Sequence, residues 1–174
     1  MRLVKTGRIV DDVFVRVPDD APVPDGVPVI VSAARYLADA AAFARRAGPV
    51  GVIWPNNRNI AELAPHLDRL ALVALVFPNF RDGRAYSQAR LLRERFAFRG
   101  ELRASGQILR DQFLFLARSG FDSFEVSKDS DADAFAAALA RYTVFYQPAA
   151  DDRPAVARRR IARGVSPALH AAAQ

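Results

Sequence analysis

Five short apolar runs recur along this chain at intervals of roughly 20–25 residues, each followed by a stretch of helical character, and that rhythm restricts the fold more than any other feature. The runs are Val27–Val31, Val50–Trp54, Leu70–Phe77, Gly100–Ala104 and Phe121–Val126. After the first, Ser32 can cap a helix whose face carries Leu37, Ala40, Ala41, Ala44 and Ala47, and Gly48 closes it. A short helix over 59–67 follows the second run, disturbed by Pro65. Leu70–Phe77 is continuously apolar, as a strand covered on both faces should be. Ala85, Ala89, Leu92 and Phe96 then share a helical face, as do Leu109, Phe113 and Leu116 before Gly120. Ser130 opens a last helix, with Asp131 and Asp133 favourable to its dipole, and Thr143–Tyr146 reads as one more short strand. Repeated strand–helix units build parallel sheets through right-handed crossovers. The expected fold is therefore α/β, a mainly parallel sheet of about five strands with flanking helices. A doubly wound open sheet is the first choice. A partial (β/α) barrel is the second, since a complete one needs about 250 residues. In either, functional side chains belong at the C-terminal ends of the strands.

A β segment precedes this body. Residues 1–17 alternate, with turns at Thr6-Gly7 and Asp11-Asp12, and 18–26 form a Pro- and Asp-rich linker. With 174 residues the chain suits one domain, placed at 1–147. The Ala- and Arg-rich remainder, 148–174, reads as a disordered tail, either a solvated segment or an arm for an acidic partner or nucleic acid.

Several kinds of chemistry lack their residues. There is no cysteine, which removes disulfides, thiolate zinc, cysteine-held clusters and thiol redox centres. Two histidines are too few for a histidine-rich metal site, so no metal is expected. Gly48-Pro-Val-Gly51 does not continue as a dinucleotide fingerprint, and no P-loop is present; no cofactor is evident. No secretory or membrane-spanning segment is visible, which fits a cytoplasmic protein. The net charge is +6, concentrated in residues 81–110, where eight basic groups face three acidic ones. That favours anionic partners. Without aromatic–basic alternation, nucleic acid is not the expected one.

Three loops following strands carry the candidate site residues. In Phe77-Pro-Asn-Phe-Arg-Asp82-Gly83-Arg84-Ala-Tyr86-Ser87-Gln-Ala-Arg90, a strand ends and a helix begins, where free N–H groups and added arginines can hold sulfite, sulfate or phosphate. Asp82, Gly83, Arg84, Tyr86, Ser87 and Arg90 are the anion-binding candidates. The plainer reading makes Asp82 a helix cap and Arg90–Glu94 an i,i+4 pair. Arg103, Ser105, Gln107, Arg110 and Asp111 form a second group, with Ser105 and Gln107 at a strand-to-helix turn and Arg110 and Asp111 equally suited to a wet helix face. Asn56 and Asn57, after Trp54, are either turn residues or neutral hydrogen-bonding groups of the same cleft.

These same segments resemble a known bacterial family. The residues are Phe77-Pro-x-Phe80-x-Asp82-Gly83-Arg84-x-Tyr86-Ser87-x-Ala89-Arg90-Leu91-Leu92-Arg93, then Gly100-Glu101-Leu102-Arg103-Ala104, Leu109-Arg110-Asp111-Gln112 and Gly120-Phe121-Asp122. They resemble domain of unknown function family 934 over roughly residues 25–147. Members are often labelled oxidoreductases of sulfite reduction, and their genes commonly neighbour that of the sulfite reductase haemoprotein. The resemblance implies an accessory protein of assimilatory sulfite reduction, within sulfur assimilation and cysteine biosynthesis, acting with that haemoprotein. The residues alone leave a second possibility open, a small anion-binding domain or enzyme for sulfite, sulfate or a phosphorylated ligand. The label implies redox catalysis, whereas the sequence shows no cofactor motif and no catalytic residues that could be carried over.

Overall fold

The computed structural model describes residues 2–150 and 155–156. Its strands form one sheet in the order β2-β1-β8-β7-β6-β5-β4-β3. Their ranges are β1 (Arg2–Lys5), β2 (Arg8–Val10), β3 (Val15–Arg16), β4 (Val29–Ser32), β5 (Val50–Trp54), β6 (Leu72–Phe77), β7 (Glu101–Gly106) and β8 (Ser123–Val126). β3 to β8 are parallel and lie in sequence order, while β1 runs antiparallel to both β2 and β8. The fold is thus α/β with a mostly parallel sheet, as the rhythm implies, but of eight strands rather than about five. β4 to β8 are the five apolar runs. The N-terminal β segment supplies the other three and joins the same sheet at both of its edges.

The doubly wound expectation fails on strand order. A doubly wound sheet reverses direction at a switch point. Here each parallel strand is laid beside the previous one in the same direction, so right-handed crossovers put the helices on one face. Chain length then curls the sheet. β2 and β3 lie at opposite edges, seven strand spacings apart, or roughly 34 Å if flat. Only residues 11–14 join them, and that link spans at most about 18 Å from Val10 to Val15. The sheet therefore bends into a half-barrel, which is the second-choice architecture, and residues 11–14 cross its open side as a strap.

The hairpin β1–β2 turns at Thr6-Gly7 as expected, with both residues at positive φ (49° and 78°). On the convex face lie α1 (Ala33–Ala38), α2 (Ala40–Arg45), a 3-10 helix over Ile60–Arg69 that accommodates Pro65, α3 (Arg84–Arg90) continued by a π turn to Arg95, α4 (Phe113–Arg118) and α5 (Ser130–Ala140). Ser32 caps α1, accepting from Arg35 N–H. The single helix expected after it breaks at Asp39, whose carboxylate accepts from Ala42 N–H and starts α2. β7 runs two residues past its expected end because Gln107 N–H still bonds Phe77 O (2.8 Å), so the next helix starts later than 107. Thr143–Tyr146 forms no strand; only a bridge from Phe145 to Ala155 is present. The expected linker, 18–26, runs between β3 and β4, and Arg35 donates to Pro18 O and Ala21 O to hold it. Most of the expected tail, 148–174, lies outside the described residues.

The two faces of the sheet differ in chemistry. The convex side packs Val31, Val52, Trp54, Val73, Leu75, Phe77, Leu102, Ala104 and Phe124 against the helices, forming the main core, and Trp54 is fully buried there as expected. The concave side has a small apolar patch, Ile30, Leu72 and Ala74, with Phe14 of the strap and Ile53 packed on it. Beyond that patch β7 and β8 turn Glu101, Arg103, Ser105, Ser123 and Glu125 inward, because alternate residues of a strand face opposite sides. At the end of β7, Gly106 has φ of +99° and a Cβ there would lie 2.3 Å from Phe77 O. Gly106→Ala is therefore expected to lower stability by about 1–3 kcal/mol, read as a reduced urea midpoint at unchanged slope.

Candidate functional site

The strand ends expected to hold an anion site are occupied differently. β6 ends at Phe77 and the loop that follows leads to Gly83, which caps α3 without a side-chain bond. Asp82 accepts from Arg84 N–H (3.3 Å) and forms a forked pair with the Arg84 guanidinium (3.0 and 2.6 Å). That guanidinium holds the Asp82 carboxyl well below the usual carboxylate range. Asn56 is buried nearby and lowers it further, without its Nδ2 meeting full hydrogen-bond geometry. Arg90 pairs with Glu94 four residues on (3.1 Å), and both are solvated. Ser87 and Asn57 are exposed. Tyr86 lies edge-on to Phe77 (5.2 Å), and burial, with the charge of Asp111, pushes its hydroxyl up to about 12. Arg110 turns to Asp131 (2.6 Å), and Gln107 is exposed. The structure thus brings Asn56, Asp82, Tyr86 and Asp111 toward one end of the sheet, while Arg84, Arg90 and Arg110 each meet a carboxylate of this chain.

One residue of this end carried no signal of its own in the sequence. Gln88 is buried and donates from Nε2 to Pro55 O (3.3 Å) and Arg58 O (2.9 Å), fastening the loop after β5 to α3. Its Oε1 has no partner among the described residues.

Arg103 and Ser105 are placed elsewhere. Ser105 lies within β7 rather than in a turn, because that strand is longer than its apolar run. Both face the concave side, where Arg103 is 0% exposed. Its Nη1 and Nη2 reach the two oxygens of Asp12 on the strap (2.6 and 3.0 Å), and its Nε donates to Glu101 (3.0 Å). Glu125 stands 3.5 Å from Nη1. Lys5 pairs with Glu101 (2.5 Å) and Arg16 with Glu125. Ser123 donates to Glu101 (2.7 Å) and Ser105 to Glu125 (2.6 Å). Three cations thus face three carboxylates. Burial disfavours Arg103's charge, but Asp12 and Glu101 outweigh it and raise the guanidinium above its ordinary value. Burial also works to raise Asp12 and Glu101, yet Arg103 for the first, and Lys5, Ser123 and Arg103 for the second, bring both below their ordinary values. This cluster is the most buried polar assembly described. Its acidic members, Asp12, Glu101 and Glu125, lie far apart in sequence, and only inward alternation on a curled sheet collects them.

A bacterial family profile, described as a bacterial protein of unknown function (DUF934), matches residues 51–157. The chain belongs to the DUF934 family. No curated protein matches it. The DUF934 match spans β5 to α5 and includes Glu101, Arg103 and Glu125, whereas Lys5, Asp12 and Arg16 precede it. Arg93, Gly100, Gly120 and Asp122, which the sequence resemblance singled out, meet at one place. Arg93 donates to Phe98 O (2.6 Å), Gly100 O (3.0 Å) and Gly120 O (3.0 Å), and pairs with Asp122 (2.5 Å), which also accepts from Leu102 N–H (2.8 Å). A Cβ on Gly120, at φ +98°, would stand 2.6 Å from the Arg93 side chain. These residues lock the starts of β7 and β8, away from the strand ends where ligands bind.

Two outcomes follow for stability. Arg103→Ala strips the counter-charge from half-buried Glu101 and buried Glu125 and should cost about 3–5 kcal/mol, whereas Arg84→Ala, at an exposed pair, should cost about 0–1 kcal/mol; paired urea titrations measure both. Since Asp12 and Glu101 have folded values below their ordinary 3.8 and 4.5, their contribution is complete above that range. It is lost as pH falls through the folded values, because the unfolded chain takes up protons first. The urea midpoint should fall with pH below about 4.5, and Asp12→Asn should flatten that dependence.

Proposed function

We propose that this chain is an accessory protein of assimilatory sulfite reduction that acts by docking to another protein, the sulfite reductase haemoprotein. The partner follows from the family resemblance. The docking mode rests on the groove between α4 and α5, about 450 Å³ in volume, lined by Leu114, Ala134, Ala137 and Ala138. Its walls carry Phe115 and Tyr142, which are 63% and 52% exposed. Large aromatic side chains left in water beside an apolar floor are the usual anchors of protein interfaces. Arg110, Asp111 and Arg141 rim the groove and would give the contact its orientation.

The other reading, a domain or enzyme for sulfite, sulfate or a phosphorylated ligand held by Arg84, Ser87 and Arg90, draws less support. Asp82 and Glu94 already meet the two arginines, and an incoming anion would have to displace them.

Calorimetric titration of purified sulfite reductase haemoprotein into this protein tests the proposal. Measurable affinity is expected, weakened at least about tenfold by Phe115→Ala with Tyr142→Ala and unchanged by Arg84→Ala. No affinity, or an affinity indifferent to the two aromatic truncations, would overturn it.

A further inference from the structure

The concave side of the half-barrel holds a charge arrangement that neither the docking reading nor the family description uses. Arg103 presents the parallel fork that guanidinium groups use to recognise carboxylates, and it does so from a fully buried position. Two of its carboxylate neighbours, Glu101 and Glu125, belong to β7 and β8 within the sheet and cannot leave without unpairing strands. The third, Asp12, belongs to the strap. Residues 11–14 have no ladder bonds, Val13 is 66% exposed, and the local bond holding Asp12 is from Phe14 N–H (3.1 Å). Asp12 is therefore the exchangeable member of the set.

Charge and shape then define what could replace it. With Asp12 lifted away, Lys5, Arg16 and Arg103 face only Glu101 and Glu125, and one positive charge is left uncompensated at a buried guanidinium. A single negative charge with two coplanar oxygens restores the balance. Beside Asp12 on the same strap, the Phe14 ring rests on Ile30, Leu72 and Ala74 and lies 5.8 Å from the Arg103 guanidinium carbon. The strap thus places a carboxylate on Arg103 and a phenyl ring on the apolar patch next to it.

We infer that this concave face is a binding site for a small carboxylic acid bearing an apolar or aromatic group, and that Asp12 and Phe14 occupy it as an internal mimic until the strap is displaced. Ser105 and Ser123, donating to Glu125 and Glu101, fix those carboxylates beside the guanidinium, whose Nη1 and Nη2 still reach both oxygens of Asp12. The inference does not depend on the docking reading, because the groove and the half-barrel interior share no residues.

Phenylacetate, with acetate as the control, is a suitable probe. An internal ligand lowers apparent affinity by the fraction of time it occupies the site, so removing its charge should tighten binding. Methyl NMR of Ile30 and Leu72 should shift when phenylacetate is added to the unaltered protein, with faster amide exchange over residues 11–14. Asp12→Asn, which keeps the shape but not the charge, should bind phenylacetate at least about tenfold more tightly than the parent, and acetate more weakly than phenylacetate. A folded Asp12→Asn variant with no gain in affinity overturns the inference. Should that variant not fold, the parent protein decides alone: no shift at Ile30 and Leu72, or shifts confined to other parts of the protein, refutes it.

Discussion

Four residues between β2 and β3 have to connect opposite edges of an eight-stranded sheet, and most of what distinguishes this protein follows from how short that connection is. A flat sheet would put those edges about twice as far apart as the link can reach. Curling brings them within range and creates an inside and an outside. The outside receives every crossover helix and the large apolar core. The inside is narrow and out of reach of the helices, and among the described residues the strap covers it. Polar side chains that face inward there must satisfy one another, and Arg103 with its three carboxylates does so.

That division also separates stability from recognition. Arg93 fixes the starts of β7 and β8 through three carbonyls and Asp122, work that needs no ligand. At the opposite end of the sheet, Gln88 fastens the loop after β5 to α3. Of the groove aromatics, Phe115 lies on α4 and Tyr142 just after α5. A basic stretch that looks like an anion site along the chain is, in three dimensions, largely a set of arginines already engaged with this chain's own carboxylates.

The strand–helix rhythm was legible because apolar runs with β-branched residues and well-placed caps act locally; Ser32 and the Thr6-Gly7 turn are where the residues place them. The number of strands was not legible. β3 has only two residues and takes its identity from pairing with β4, which no local pattern encodes. Strand order, and with it the choice between doubly wound and half-barrel, depends on a distance between edges that appears only once the strands are assembled. Among the candidate residues, Arg84–Asp82 and Arg90–Glu94 could be read as local pairs because their spacing is short. Two of Arg103's three carboxylate partners could not, since Asp12 is 91 positions away and Glu125 is 22.

The pairing of β1 with β8 matters for the order in which the protein can form as it is made. Arg2–Lys5 finds its partner in Ser123–Val126, so β1 waits until β2 to β7 have been made before β8 can pair with it. Until then the hairpin β1–β2 has only itself, and an isolated two-stranded hairpin is marginal in water. The helix-covered strands can assemble progressively, but β8 keeps an open edge until β1 returns to it. Completion of the sheet is therefore a late, long-range event, and until it happens the β8 edge is open to pairing with another strand.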